Sequence, residues 1–158
     1  MTKTITAVTW GVKQSFRAYV EGSSGSIETA APAARGDDGL FTFPVDSSAG
    51  APGLTLDPTG HLAGSAALAG EITFRAHGGM LNVRVGDLML EVRPEGAVIS
   101  TADRAGRLDL AELNLAAATR EPDGALLVPA TMAKDGWLIL GDHYPWKTPI
   151  DPVRLNVS

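Results

Sequence analysis

Apolar positions follow a helical period near the start of the chain and a period of two beyond it. In residues 9–20 the apolar side chains recur at the spacing of one helical face, which predicts a helix. The side chains on this face are Val12, Phe16, Tyr19 and Val20. Thr9 is the expected N-cap, and Gly22 is expected to end the helix in the left-handed conformation.

Apolar and polar residues alternate through much of the remaining sequence, which predicts short strands. The expected strands cover residues 40–45, 66–76, 81–85, 88–92, 98–101, 107–110, 126–129, 136–140 and 153–157. Turns at Gly78-Gly79 and Gly86-Asp87 would join three of them into an antiparallel meander. Pro44 would confine the first strand to a sheet edge, because proline lacks a backbone N–H.

Three segments lack a strand pattern. Residues 22–39 and 46–60 are rich in small residues, glycine and proline, which predicts loops and turns. Residues 110–117 are compatible with either a helical turn or a loop.

This pattern predicts a mainly β protein. We expect an antiparallel β-sandwich or open barrel of about nine short strands, with one N-terminal helix carrying Tyr19. Residues 1–158 are expected to form a single domain, because the length suits one domain and no linker or internal repeat interrupts it. The apolar helix face has to be buried, and one of the sheets is the expected partner.

Charge and composition narrow the classes of partner. The formal net charge of −5 argues against nucleic acid and against an acidic membrane surface. Cysteine is absent, which excludes disulfides, thiolate metal sites and cysteine nucleophiles. No apolar stretch reaches the roughly 18 residues of a membrane span.

The N-terminal residues bear on the expected location. Residues 1–8 lack the apolar core of a signal peptide. We therefore expect a cytoplasmic protein if Met1 is the natural start. If a signal has been removed, an extracellular or cell-surface location is the alternative.

A search for generic catalytic and metal-binding motifs does not indicate a function. The sequence has no P-loop, dinucleotide fingerprint or HExxH motif, and no serine sits in a nucleophile elbow. His61, His77 and His143 together have the composition of a three-histidine metal site, but their spacing carries no local signature. No catalytic residue is assigned from these patterns.

Five segments, taken in order, point to a known family. They are residues 8–22 (VTWGVKQSFRAYVEG), 41–44 (FTFP), 71–81 (EITFRAHGGML), 108–110 (LDL) and 144–153, which begins Tyr-Pro and ends Ile-Asp-Pro-Val. Together they resemble the HtaA family of haem-binding domains, and the similarity covers nearly the whole chain.

The resemblance implies a mostly β haem-uptake domain. In the family a helical tyrosine ligates ferric haem iron and a hairpin histidine supports it, which by position are Tyr19 and His77 here. The implied cofactor is ferric haem b, held for uptake, transfer or storage, with Tyr19 as the metal ligand. Haem donor or acceptor proteins are the implied partners, and a homodimer is left open.

Neighbouring side chains are candidates for contact with the rest of the haem. Phe16, Phe74, Met80 and Leu81 flank the proposed ligands and are expected to line the ring, although each also suits a plain core position. Ser15 and Arg17 are candidate partners of the propionates, with a solvated role as the alternative for Arg17.

The sequence departs from the family in three places, which keeps other functions open. It lacks an export signal, Arg75 precedes the hairpin histidine, and residues 142–147 are bulky enough for His143, Tyr144 or Trp146 to cover a pocket. One alternative is a cytoplasmic haem-dependent enzyme with an open distal face, where His61 or His143 would serve. The other is a structural β-domain that has lost its haem.

Overall fold

The computed structural model describes residues 2–46, 53–103, 106–141 and 144–157. Fourteen strands and two α-helices lie in these ranges. The strands are β1 (Lys3–Trp10), β2 (Ser26–Ala30), β3 (Ala34–Arg35), β4 (Phe41–Pro44), β5 (Gly53–Leu56), β6 (Leu62–Ala67), β7 (Glu71–Ala76), β8 (Leu81–Gly86), β9 (Met89–Arg93), β10 (Gly96–Asp103), β11 (Gly106–Leu113), β12 (Thr119–Arg120), β13 (Leu126–Met132) and β14 (Pro149–Val157). The helices are α1 (Gln14–Gly22) and α2 (Trp137–Leu140).

The strands form two antiparallel sheets, so the predicted mainly β class with one helix near the N-terminus is confirmed. The larger sheet has eleven strands, and the smaller has the order β2-β7-β8. Eight strands of the larger sheet pair in a closed ring, because β14 joins β1 to β13. The ring runs in the order β13-β11-β10-β9-β6-β5-β1-β14.

Helix α1 and both sheets share one hydrophobic core. The ring of Phe74 in β7 packs edge-on against Phe16 of α1 at 5.0 Å and against Phe41 of β4 at 6.1 Å, measured between ring centroids. All three side chains are buried. Aromatic pairs in this geometry add to the free energy of apolar burial. The small sheet therefore carries α1 on its apolar face, as the amphipathic pattern requires.

The predicted helix of residues 9–20 was wrong at its start. Thr9 lies in β1, where it pairs with Thr42 on one side and with Arg154 on the other. The helix begins at Gln14, and no side chain of the preceding residue caps it. Two neighbouring strands override the local helical spacing, since each supplies backbone hydrogen bonds along β1.

The predicted helix stop at Gly22 also differs. Helix α1 includes Gly22, and the backbone N–H of Ser23 donates to the carbonyl of Tyr19 at 3.0 Å. The left-handed conformation falls instead on Ser24, whose φ is 59°.

Two segments predicted as loops contain strands. Residues 22–39 include β2 and β3, and the described part of residues 46–60 includes β5. The side chains of β2 are exposed or half-buried, so the strand has no alternating pattern to detect. All five of its residues nevertheless pair with residues 71–75 of β7, because hydrogen bonds between strands do not depend on apolar side chains.

Other predicted strands are partly confirmed. The β7–β8 hairpin forms as expected around Gly78-Gly79, but the expected strand 66–76 is divided between β6 and β7. The turn at Gly86-Asp87 does not continue the meander, because β9 pairs with β6 and β10 in the larger sheet.

Three further segments can be compared with the structure that their sequence pattern predicts. Residues 136–140 were predicted as a strand and instead contain α2, since a short apolar run does not distinguish helix from strand. Pro44 does not mark an edge, because β4 lies between β1 and β3. Residues 110–117 combine the end of β11 with a short 3-10 turn.

His61 lies in a tight turn between β5 and β6. The carboxylate of Asp57 accepts hydrogen bonds from the Thr59 hydroxyl at 2.6 Å and from the His61 backbone N–H at 2.9 Å. These hydrogen bonds lower the pKa of Asp57 from its ordinary value of 3.8, and the bond from the Thr59 hydroxyl has the largest effect. The structure thus gives the backbone of His61 a turn-forming role.

The Thr59→Ala variant should raise the pKa of Asp57 toward its ordinary value, as measured by NMR titration of the side-chain carboxyl carbon. Because the folded-state pKa is the lower one, this carboxylate stabilises the fold above its unfolded-state pKa. The contribution is lost as the pH falls through the folded-state value. An unchanged pKa in the variant would contradict the assignment to Thr59.

Among the described residues, no helix is long and apolar enough to cross a membrane.

Candidate functional site

Helix α1 and the β7–β8 hairpin bring Tyr19 and His77 together. The Tyr19 hydroxyl and Nε2 of His77 are 2.6 Å apart, within hydrogen-bond distance. Phe16 and Val20 anchor α1 in the core, whereas Tyr19 lies at the border of that face and is 49% exposed. The phenol is therefore carried by a packed helix, and about half of the residue is accessible from outside.

The hairpin tip has an unusual backbone conformation. His77, Gly78 and Gly79 all have positive φ angles, of 54°, 66° and 94°. Glycine adopts such angles readily, but histidine does so at a cost in free energy. The strained position aims the imidazole at Tyr19. Strain of this kind is concentrated at functional sites in proteins.

A mostly apolar cleft lies beside the Tyr19 ring and has a volume of about 450 Å³. Its lining residues are Phe16, Tyr19, Leu81, Leu140, Gly141 and Tyr144. They come from α1, the start of β8, the end of α2 and the segment after it. The size falls within the roughly 300–1,000 Å³ of small-molecule sites. An apolar wall with few oxygen atoms suits a large apolar ligand that makes one polar contact.

A second phenol faces the same cleft. The hydroxyls of Tyr144 and Ser15 are 3.1 Å apart, and the Tyr144 ring packs edge-on against Phe16. Ser15 is exposed on α1 next to this contact. The two hydroxyls form a polar corner in a wall that is otherwise apolar.

The remaining predicted ring contacts take different positions. Phe74 is fully buried and lies behind Phe16, so it supports the wall without forming it. Met80 is 90% exposed beside the hairpin tip and does not line the cleft. Leu81 does line it, as expected.

Arg17 is engaged away from the cleft. Its Nη1 donates to Oδ2 of Asp151 and to the carbonyl of Gly11, each at 2.6 Å. Oδ1 of Asp151 accepts the backbone N–H of Gln14 at 2.9 Å, so a carboxylate from β14 caps the helix. The ion pair is mostly buried. Arg17 therefore anchors α1, and it is not among the residues that line the cleft.

Sequence patterns missed part of this wall. Leu140 and Gly141 line the cleft only because residues 137–140 form a helix, and that segment was predicted as a strand. Tyr144 was expected to cover a pocket, and it does line one. The signal available in the sequence was the bulk of the side chains in residues 142–147.

A larger groove of about 840 Å³ lies elsewhere, and most of the residues that line it are polar or charged. Its lining includes Arg75 and Arg84, both of which form ion pairs with acidic side chains. Along β7, Arg75 alternates with the buried Phe74, so its side chain leaves the opposite face of the sheet. None of the described residues that line this groove is a tyrosine or a histidine.

The described residues contain no cluster of three or more histidine, aspartate or glutamate side chains able to hold a metal ion. His61 and His77 occupy separate turns, and His143 lies outside the described ranges. The three-histidine site therefore gains no support.

Comparison with known proteins identifies the family. The HtaA family model, described as Htaa, matches residues 6–156. The C-terminal domain of HtaA from Corynebacterium glutamicum is 22% identical, with a TM-score of 0.72 over 99% of this chain and 98% of that one. The N-terminal domain of the same protein is 19% identical, with a TM-score of 0.73 over 100% and 99% of the two chains.

A third solved structure, the haem-binding protein HtaB from Corynebacterium glutamicum, is 16% identical. Its TM-score is 0.69 over 100% of this chain and 94% of that one. No curated protein sequence matches this chain. At these identities the structural likeness establishes the fold, and the family model independently spans nearly all of the sequence. The chain belongs to the HtaA family.

Proposed function

We propose that this protein binds haem, with the Tyr19 phenolate as the iron ligand and His77 as its hydrogen-bond partner. The observation that carries the proposal is the 2.6 Å contact between the Tyr19 hydroxyl and Nε2 of His77 at the wall of an apolar cleft. Membership of the HtaA family supports it, as does the similarity in fold to a protein described as haem-binding.

The donor set suits ferric iron. A phenolate is a hard anionic ligand and favours Fe(III) over Fe(II). The charge of the iron assists ionisation of a phenol whose free pKa is about 10. An imidazole N–H that donates to the phenolate oxygen would stabilise it further and fix the ring orientation. The proposed cofactor is accordingly ferric haem b.

The cleft suits the rest of the haem. Phe16, Leu81 and Leu140 offer apolar contact for the macrocycle. The hydroxyls of Ser15 and Tyr144 are placed to donate to a propionate at the cleft border. Arg17 is left out of this proposal because Asp151 and Gly11 already engage it.

Exposure of the ligand favours a carrier. Tyr19 is 49% exposed, and the proposed supporting histidine is exposed as well. Haem bound here would keep one edge open to a donor or acceptor protein. We therefore propose haem uptake, transfer or storage as the role.

Haemin titration of the His77→Gly variant tests the role of the histidine. Glycine removes the imidazole and still tolerates the positive φ at this position. We expect one-to-one binding by the wild type and a haemin affinity about tenfold lower in the variant, as for other partners of metal ligands. Absorption spectroscopy would give both stoichiometry and affinity.

His61→Gly is the matched control, because His61 is an exposed histidine in a different turn. Its haemin affinity and spectrum should equal those of the wild type. Equal affinities for all three proteins would remove His77 from the site. A wild type that fails to bind haemin saturably would overturn the proposed function itself.

A further inference from the structure

A second apolar depression adjoins the cleft. It is lined by Lys134, Trp137, Pro145 and Trp146 and has a volume of about 450 Å³; we call it the tryptophan groove. Helix α2 contributes Trp137 to the groove and Leu140 to the cleft. The next segment likewise contributes Pro145 to the groove and Tyr144 to the cleft. The two depressions thus share two wall-forming elements, which are α2 and the segment after it.

The two indoles of the groove are exposed. Trp137 is 45% exposed and Trp146 is 50% exposed, whereas the third tryptophan, Trp10, is fully buried. Nε1 of Trp146 donates to Oε1 of Glu112 at 3.0 Å, and the Lys147 ammonium lies 4.6 Å from the centroid of the Trp146 ring. These contacts hold a solvent-exposed indole in one orientation. A ring fixed in this way can stack against a planar ligand.

Exposed apolar surface is concentrated around these two depressions. In the described part of the chain the large exposed apolar side chains are Tyr19, Met80, Trp137, Leu138 and Trp146. Each belongs to α1, the β7–β8 hairpin tip, α2 or the segment after it. Concentrated exposure of this kind marks a binding surface.

We propose that the tryptophan groove is a peripheral docking site for a planar porphyrin carrying carboxylates. This inference rests on the proposed function. Haem would bind in the groove transiently, before it is ligated by Tyr19 or after it is released from Tyr19. The indole faces would stack on the macrocycle, and the ammonium groups of Lys134 and Lys147 would attract its carboxylates. None of the described residues that line the groove is a tyrosine or a histidine, so the proposed docking involves no iron ligand of the type proposed for the cleft.

Metal-free protoporphyrin IX separates docking from iron ligation. Its binding to the whole chain is measured by its own emission, in the wild type and in Tyr19→Phe. We expect equal affinities, because the groove does not use the phenol. The Trp137→Ala/Trp146→Ala double variant should bind the probe about tenfold more weakly, as the loss of two aromatic contacts predicts.

The kinetics of haemin uptake give the second readout. In stopped-flow mixing, the double variant should take up haemin several-fold more slowly and still reach the final spectrum of the wild type. Leu138→Ala is the control, because Leu138 is 52% exposed on the same helix but does not line the groove. It should leave both the probe affinity and the uptake rate unchanged.

Lys134→Glu provides an independent variant should the double variant lose its fold. Reversing this charge should weaken protoporphyrin binding without changing the packed indoles. Unchanged probe affinity and unchanged haemin uptake in the folded variants would overturn the docking site. If haemin itself fails to bind at Tyr19, the protoporphyrin measurement still decides the fate of the groove.

Discussion

Replacing Tyr19 with phenylalanine should abolish the phenolate-ligated ferric haem spectrum and lower haemin affinity by more than about a hundredfold, because removal of a supporting partner alone costs up to that amount. Phenylalanine keeps the aromatic ring at this position of α1 and removes only the hydroxyl. The residual binding would come from apolar contact with the cleft. Haemin titration followed by absorption spectroscopy measures both effects.

Tyr144→Phe is the matched control for this experiment. The sequence has two tyrosines, and the Tyr144 hydroxyl contacts Ser15 in the same cleft. Its loss should remove one hydrogen bond, weaken binding by less than about tenfold and leave the ligand spectrum intact. The opposite result, with Tyr144 rather than Tyr19 controlling the spectrum, would move the proposed iron ligand to the other wall.

Replacing Asp151 with alanine should destabilise the protein by about 3 kcal/mol, because it leaves the mostly buried Arg17 without its ionic partner. The same change removes the acceptor of the Gln14 backbone N–H at the start of α1. For a chain of this length the melting temperature should fall by about 10 °C. Thermal and denaturant unfolding of the apoprotein measure the effect.

Glu28→Ala is the control for an exposed ion pair. Glu28 and Arg75 are 4.0 Å apart, and more than half of each side chain is exposed. The stability change there should be below about 1 kcal/mol. Adding Arg17→Met to Asp151→Ala should recover part of the lost stability, because an apolar side chain leaves no charge unpaired. An Asp151→Ala variant as stable as Glu28→Ala would contradict the proposed anchor.

The sequence suggested the two proposed site residues, Tyr19 and His77, through a family motif and not through local chemistry. By pattern alone Tyr19 belongs to an apolar helix face and His77 to a glycine turn. They are 58 residues apart in sequence and meet at 2.6 Å. Periodicity could not bring them together, because it describes one element at a time. The resemblance did so, since it carries the three-dimensional relation between the two segments.

Other site assignments depended on contacts between distant elements. Arg17 lies two residues before the proposed ligand in sequence and was a candidate for the propionates, yet Asp151 of β14 engages it. Phe74 alternates as a strand residue should, but Phe16 separates it from the cleft. Leu140 lines the cleft because its apolar segment folded as a helix. In each case a contact with a residue distant in sequence determines whether the side chain reaches the cleft.

The sequence by itself determined the mainly β class, the helix that carries Tyr19 and the glycine-containing tip that carries His77. Apolar periodicity and glycine content are properties of a few consecutive residues, so these features can be predicted from short stretches of sequence. Only the tertiary structure decided that Thr9 lies in a strand, that exposed β2 pairs with β7 and that β14 closes the ring. Those outcomes depend on backbone hydrogen bonds and ion pairs between segments far apart in the chain. Pairing between distant strands, and a helix cap supplied from one of them, leave no periodic trace in the sequence.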